Sequence, residues 1–149
     1  MKKLLTLMSV LFVFVLAGCA AQITEHKYKV NITGLQIEVT YKAQGDHVLE
    51  QITHTTYKYS DMELTKEEFE QEAAPVVEFL KEIKGVSHTI TFGEEQAVEI
   101  VAVNFKEFDF DKIEEIERFG LDGIDAKAKT ISLEKSLENL KMFGFKEVK

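Results

Sequence analysis

Leu35-Gln36-Ile37-Glu38-Val39-Thr40-Tyr41-Lys42 alternates strictly between apolar and polar residues. A period of two puts Leu35, Ile37, Val39 and Tyr41 on one side of an extended chain and the polar residues on the other. The stretch therefore predicts a strand with one buried face. Tyr28, Val30 and Ile32 repeat the pattern ahead of Gly34. After the turn signal Gln44-Gly45-Asp46, the segment His47 to Tyr59, rich in Thr, Tyr, Val and Ile, predicts a third strand. The joins at Gly34 and Gly45 are too short for crossover helices, which leaves an antiparallel meander.

Thr65-Lys66-Glu67-Glu68 follows a hydroxyl with a carboxylate three residues on, the layout of a capping box, so a helix begins there. Phe69, Ala73, Val76, Leu80 and Ile83 recur at helical spacing and form one apolar stripe. Pro75 lies inside this pattern and would remove the bond to the carbonyl of Gln71, so a kink or break is expected, with Gly85 as the later stop. Val86, His88, Ile90 and Phe92 then alternate as a fourth strand that turns at Gly93-Glu94-Glu95. A fifth runs from Ala97 to about Phe105, with Val101, Val103 and Phe105 on one face. Asp109 or Asp111 can cap a short helix through Ile113, Ile116 and Phe119 to Gly120, and Leu121 to Thr130 reads as a surface loop. Ser132 caps a last helix with Leu133, Leu137, Leu140 and Phe143 on one side. Gly144 ends it, and Phe145 folds back onto the core. The expected class is α+β, an antiparallel sheet covered by helices in the order β-β-β-α-β-β-α-α.

Lys2 and Lys3 precede an apolar run from Leu4 to Leu16, the layout of a secretory signal peptide. The run falls short of the ~20 residues that a spanning helix needs. The following Leu16-Ala17-Gly18-Cys19 resembles a bacterial lipobox. That resemblance implies a diacylglycerol thioether on Cys19, cleavage between Gly18 and Cys19, and anchoring through acyl chains such as palmitate, since two chains hold a protein on a membrane where one does not. Residues 1–18 are then a removed signal and 19–27 a lipidated N-terminus with a short tether. Residues 28–149 form a single domain held close to the lipid on the extracytoplasmic side. Ala20, rather than Asp, after Cys19 points to the outer membrane if the host is Gram-negative.

The formal charge is −8, and loss of Lys2 and Lys3 deepens it by two. Such a chain repels nucleic acid, which is recognised through clustered Lys and Arg, and would attract cationic proteins or peptides. The only cysteine is Cys19, so the domain is expected to be a disulfide-free monomer stabilised by packing, with no thiolate for metal or catalysis.

His88 falls on the apolar phase of its strand, where an imidazole could serve as base, ligand or pH sensor; the plainer reading is a core-edge histidine bonded to a backbone carbonyl. His26, His47, His54 and His88 contain no pair spaced for a shared metal on one helix, and His47 and His54 should face opposite sides of a regular strand. Asp122-Gly123-Ile124-Asp125 lacks the late glutamate of a calcium loop, and no G-x-S-x-G, phosphate-cradling loop or H-E-x-x-H occurs. Catalytic residues, metal and cofactor are accordingly expected to be none. Tyr41, His54, Tyr57 and Tyr59, with His88, could form a binding face, although ordinary sheet side chains of high strand propensity are the plainer reading.

The lipobox, the passage Ile83-Lys84-Gly85-Val86-Ser87-His88, and the closing Ile131-Ser132-Leu133-Glu134-Lys135-Ser136 with Gly144-Phe145-Lys146 resemble the YehR-like family of small bacterial lipoproteins. The resemblance implies one compact α+β domain on a lipid anchor and no particular activity. The expected function is a non-enzymatic envelope lipoprotein that binds a protein or a small ligand. The alternatives are a cell-wall or glycan-acting enzyme that uses buried carboxylates, and an acidic inhibitor of cationic envelope-directed proteins.

Overall fold

The structure, a computed structural model, describes residues 22–112, 124–125 and 129–148. The lipobox with Gly18 and Cys19, the expected helix through Ile113, Ile116 and Phe119, and most of the expected loop from Leu121 lie outside the described residues. The elements are β1 (Ile23–Ile32), β2 (Leu35–Gln44), β3 (His47–Lys58), a 3₁₀ turn at Tyr59–Met62, α1 (Lys66–Lys81), β4 (Val86–Phe92), β5 (Gln96–Asn104), a second 3₁₀ turn at Phe110–Lys112, β6 (Ile124–Asp125), β7 (Thr130–Ile131), α2 (Leu133–Met142) and β8 (Lys146–Glu147). Six strands form one antiparallel sheet in the order β4-β5-β3-β2-β1-β8, and β6 pairs with β7 apart from it. The fold is therefore α+β, with α1 and α2 on the inner face of the sheet, as the alternating strands require.

Differences from the sequence reading have local causes. β1 starts at Ile23 rather than near Tyr28, because Thr24, Glu25 and His26 continue the ladder opposite Ala43, Lys42 and Tyr41. Those residues belong to the sheet and not to a loose tether. α1 runs unbroken through Pro75. Both Pro75 and Gln71 are exposed, so water can take the carbonyl that loses its partner. Ile124–Asp125 pairs with Thr130–Ile131 instead of lying in a plain loop. β8 adds a short strand beside Tyr28 and Lys29. A bulge at Leu49 shifts the β2–β3 register between Lys42 and Ala43. Val48 and Gln51 both turn inward as a result, so His47 and His54 share the exposed outer side instead of taking opposite faces.

The capping box at Thr65 is made in full. The Glu68 amide donates to the Thr65 hydroxyl at 3.2 Å, and the Glu68 carboxylate accepts from the Thr65 amide at 2.8 Å. The main core joins β2, β3 and β5 to the end of α1 and to α2 through Val39, Tyr41, Val48, Val103, Leu80 and Leu133, with Phe145 folded back against it. A second cluster gathers Tyr59, Phe69 and Ala97 at the other end of the sheet.

Asp46 ties the β2–β3 turn to α2. Its carboxylate accepts from the Glu134 amide at 2.8 Å and the Ser132 hydroxyl at 2.9 Å, and its carbonyl accepts from the Leu133 amide at 2.8 Å. These donors, the Glu134 amide foremost, hold the Asp46 carboxyl below the usual carboxylate range. A depressed folded value contributes stability that is present above the ordinary carboxylate value of ~3.9 and lost as pH falls through the lower folded value. Asp46→Ala should lower Tm by a few degrees near neutral pH. In thermal melts taken at decreasing pH, the gap to the native chain should close below the carboxylate range; a gap that stays constant would show that the charge is not the cause.

Candidate functional site

The helices do not close against the sheet along its centre. Between α1, α2 and the inner faces of β2, β3 and β5 lies a cavity of about 750 Å³, within the range of small-molecule sites. Its walls follow from the alternation of the strands. Leu35, Ile37, Val39 and Tyr41 come from β2, and Val101 and Val103 from β5, while Phe69, Ala73, Val76 and Leu80 come from the apolar stripe of α1. Leu140, Phe143 and Phe145 close the α2 side.

A polar row crosses this apolar chamber. β3 turns Gln51, Thr53, Thr55 and Tyr57 inward at alternate positions, and the Gln51 amide donates to the Thr53 hydroxyl at 3.3 Å. Beside the row stands Glu99 of β5, directly opposite Thr55 in the ladder. Tyr57 and His88 are its diagonal neighbours on the two flanking strands, within reach of a long side chain. The Tyr57 hydroxyl donates to Glu99 Oε2 at 2.6 Å, and His88 Nε2 lies 2.7 Å from Glu99 Oε1. The side chains of His88 and Glu99 are 1% and 12% exposed. Burial, reinforced by the bond to Glu99, pushes the Tyr57 phenol well above the ordinary tyrosine range, so this hydroxyl stays protonated and acts as a donor. No buried side-chain N or O among the described residues lacks a partner.

Of the five residues expected to form a binding face, the structure unites Tyr57 and His88 through Glu99 and sets Tyr41 in the cavity wall. His54 is exposed on the opposite side of the sheet, because it alternates with the inward Thr53 and Thr55. Tyr59 leaves β3 for the 3₁₀ turn and is buried in the second cluster, where it packs on Phe69 with ring centroids 5.4 Å apart. The partner of His88 is a carboxylate rather than the expected backbone carbonyl. Sequence reasoning passed over Glu99, although it shares the phase of Val101 and Val103, the face read as apolar. A charge in that phase was the available signal.

The mouth of the cavity is marked by its exposed lining residues. Ile32 is 55% and Phe143 68% exposed, and Glu72 on α1 is a third exposed lining residue. Phe143 lies just past the end of α2 as its C-cap, which is why it does not join Leu137 and Leu140 in the core. Among the described residues no three His, Cys, Asp or Glu side chains converge as a metal site would require, and no helix is long and apolar enough to cross a membrane.

The chain belongs to the family described as "Protein of unknown function (DUF1307)", which matches residues 24–146. It is 34% identical over 138 residues to "Uncharacterized lipoprotein YehR" of Escherichia coli strain K12, covering 92% of this chain and 90% of that protein. It is 28% identical over 145 residues to "Uncharacterized lipoprotein Lin0239" of Listeria innocua, covering 94% of each. The NMR structure of E. coli YehR superposes with a TM-score of 0.73 at 30% identity, over 87% of this chain and 93% of that one. The NMR structure of a protein from Streptococcus pneumoniae TIGR4 shares the fold, with a TM-score of 0.57 at 12% identity over 85% and 86% of the two chains.

Proposed function

We propose that this member of the DUF1307 family is a lipoprotein of the cell envelope, held on the extracytoplasmic face by lipid on Cys19. Its domain is a non-enzymatic binding module that takes a small, largely apolar ligand into the cavity under the helices. The anchor is supported by the Leu16-Ala17-Gly18-Cys19 signal and by the lipoprotein names of both curated relatives. The binding role rests on one observation above all: a cavity of about 750 Å³ whose apolar walls carry one aligned polar row. Apolar area supplies affinity in such a site, and a few fixed polar groups orient what enters.

The test is to purify the full chain and a Val76→Phe form from native membranes and to compare the small molecules extracted from each by mass spectrometry. Val76 lines the cavity from α1, so a phenyl ring there fills space that a ligand would use. A species present in near-stoichiometric amount with the native chain and lost from Val76→Phe supports the reading, and identical extracts would sink it. The anchor is tested separately: a Cys19→Ala form should leave the membrane fraction for the soluble one or stay uncleaved.

A further inference from the structure

We infer that the cavity selects ligands with a cationic, hydrogen-donating head on an apolar body and rejects anionic amphiphiles such as fatty acids. This rests on the binding role proposed above and adds the sign of the ligand's charge. Among the described residues, the charged ones that line the cavity are Glu72 at the mouth and Glu99 on the floor, with no lysine or arginine. The two groups that reach Glu99 do not turn it into an anion receptor. Tyr57 gives one neutral hydroxyl to Oε2, and His88 meets Oε1 with a single ring nitrogen. A carboxylate offers about four lone-pair sites, so each oxygen retains acceptor capacity for a ligand that enters from the cavity. The rest of the polar row, Gln51, Thr53 and Thr55, can accept as well as donate and so adds no positive charge.

The electrostatics then decide between amphiphiles of equal length. An ammonium group near Glu99 gains a charge-assisted hydrogen bond in a poorly solvated site and lowers the desolvation cost that the carboxylate already carries. A carboxylate head meets the carboxylates of Glu72 at the mouth and Glu99 on the floor, and among the described lining residues no cation to receive it, since His88 spends its ring nitrogen on Glu99 and does not line the cavity. The surrounding field has the same sign, since the chain carries −8 overall.

The experiment is equilibrium dialysis of octylamine, octanol and octanoate against the full chain in lipid nanodiscs, with empty nanodiscs as the blank for partition into lipid. Octylamine should bind about tenfold or more tighter than octanoate, with octanol between them, a factor of ten being ~1.4 kcal/mol. Glu99→Gln should bring octylamine and octanoate within about threefold of each other while octanol binding stays within a factor of about two, which shows that the variant still holds its cavity. Equal or stronger retention of octanoate by the native chain overturns the inference, because the cavity then has no preference for a cationic head. If none of the three is retained above the blank, the binding role falls, and the inference with it.

Discussion

Gly85→Ala should destabilise the chain by on the order of 3–5 kcal/mol, a large part of the ~5–15 kcal/mol that holds a domain of this size together. Gly85 has φ +83°, a conformation that costs an L-residue roughly 1–2 kcal/mol. A methyl group there would lie 2.6 Å from both Cα and N of Phe108 and 2.8 Å from the Glu107 carbonyl carbon. All three are backbone atoms, so no side chain can rotate away. The Gly85 carbonyl also accepts from the Asn104 amide at 2.8 Å, and the Asp109 amide donates to the Lys84 carbonyl at 3.4 Å, so a shifted backbone would break the join between α1 and the end of β5. Gly45→Ala is the matched control. Gly45 has φ +61° and nothing within 4 Å of the added carbon, so only the conformational cost of roughly 1–2 kcal/mol applies. Urea unfolding of both variants by circular dichroism measures the difference, and equal losses would show that the close approach to Phe108 carries no weight.

Much of this fold was legible because period and punctuation agreed. The phase of Leu35 to Tyr41 placed one side of β2 in the core, and Val86–Phe92 matched its expected bounds. The capping box at Thr65 and the Ser132 cap set the helix starts to the residue. What escaped was set by contacts between residues far apart in the chain. Asp46 looked like an ordinary turn residue, yet its carboxylate caps a helix that starts at Leu133. β8 exists only because the chain after Gly144 returns beside Tyr28 and Lys29. The bulge at Leu49 broke the simple alternation on which the placing of His47 depended. The cavity was hidden for a different reason. Its apolar strand and helix walls, Ile37, Val39, Val76 and Leu80 among them, have the signature of a packed core, and a pattern of apolar positions cannot tell whether two helices meet over the sheet or stand apart.

Glu99→Ala should cost about 2–4 kcal/mol, because it strips the acceptor from two buried donors at once, each orphaned group costing ~1–3 kcal/mol. The Tyr57 hydroxyl and His88 Nε2 have Glu99 as their shared partner, and His88 is almost wholly enclosed. Glu99→Gln should cost less, since the amide oxygen can accept from Tyr57 while its NH₂ donates to an imidazole in the other tautomer. Tyr57→Phe removes one donor cleanly, and combined with Glu99→Ala it should recover part of the loss, a coupling of ~0.5–3 kcal/mol in a double-mutant cycle. Additive losses would mean that the pair is not coupled. Titration gives a second readout of the same bond. The Tyr57 phenol is raised first by burial and then by Glu99, so its contribution is full below the ordinary tyrosine value of ~10 and is lost as pH rises above it towards the folded value. Without the Glu99 carboxylate the phenol should ionise at lower pH, seen as an earlier tyrosinate absorbance step. An unchanged step in Glu99→Gln would leave burial alone as the cause and remove the carboxylate from the account of how this cavity floor is held.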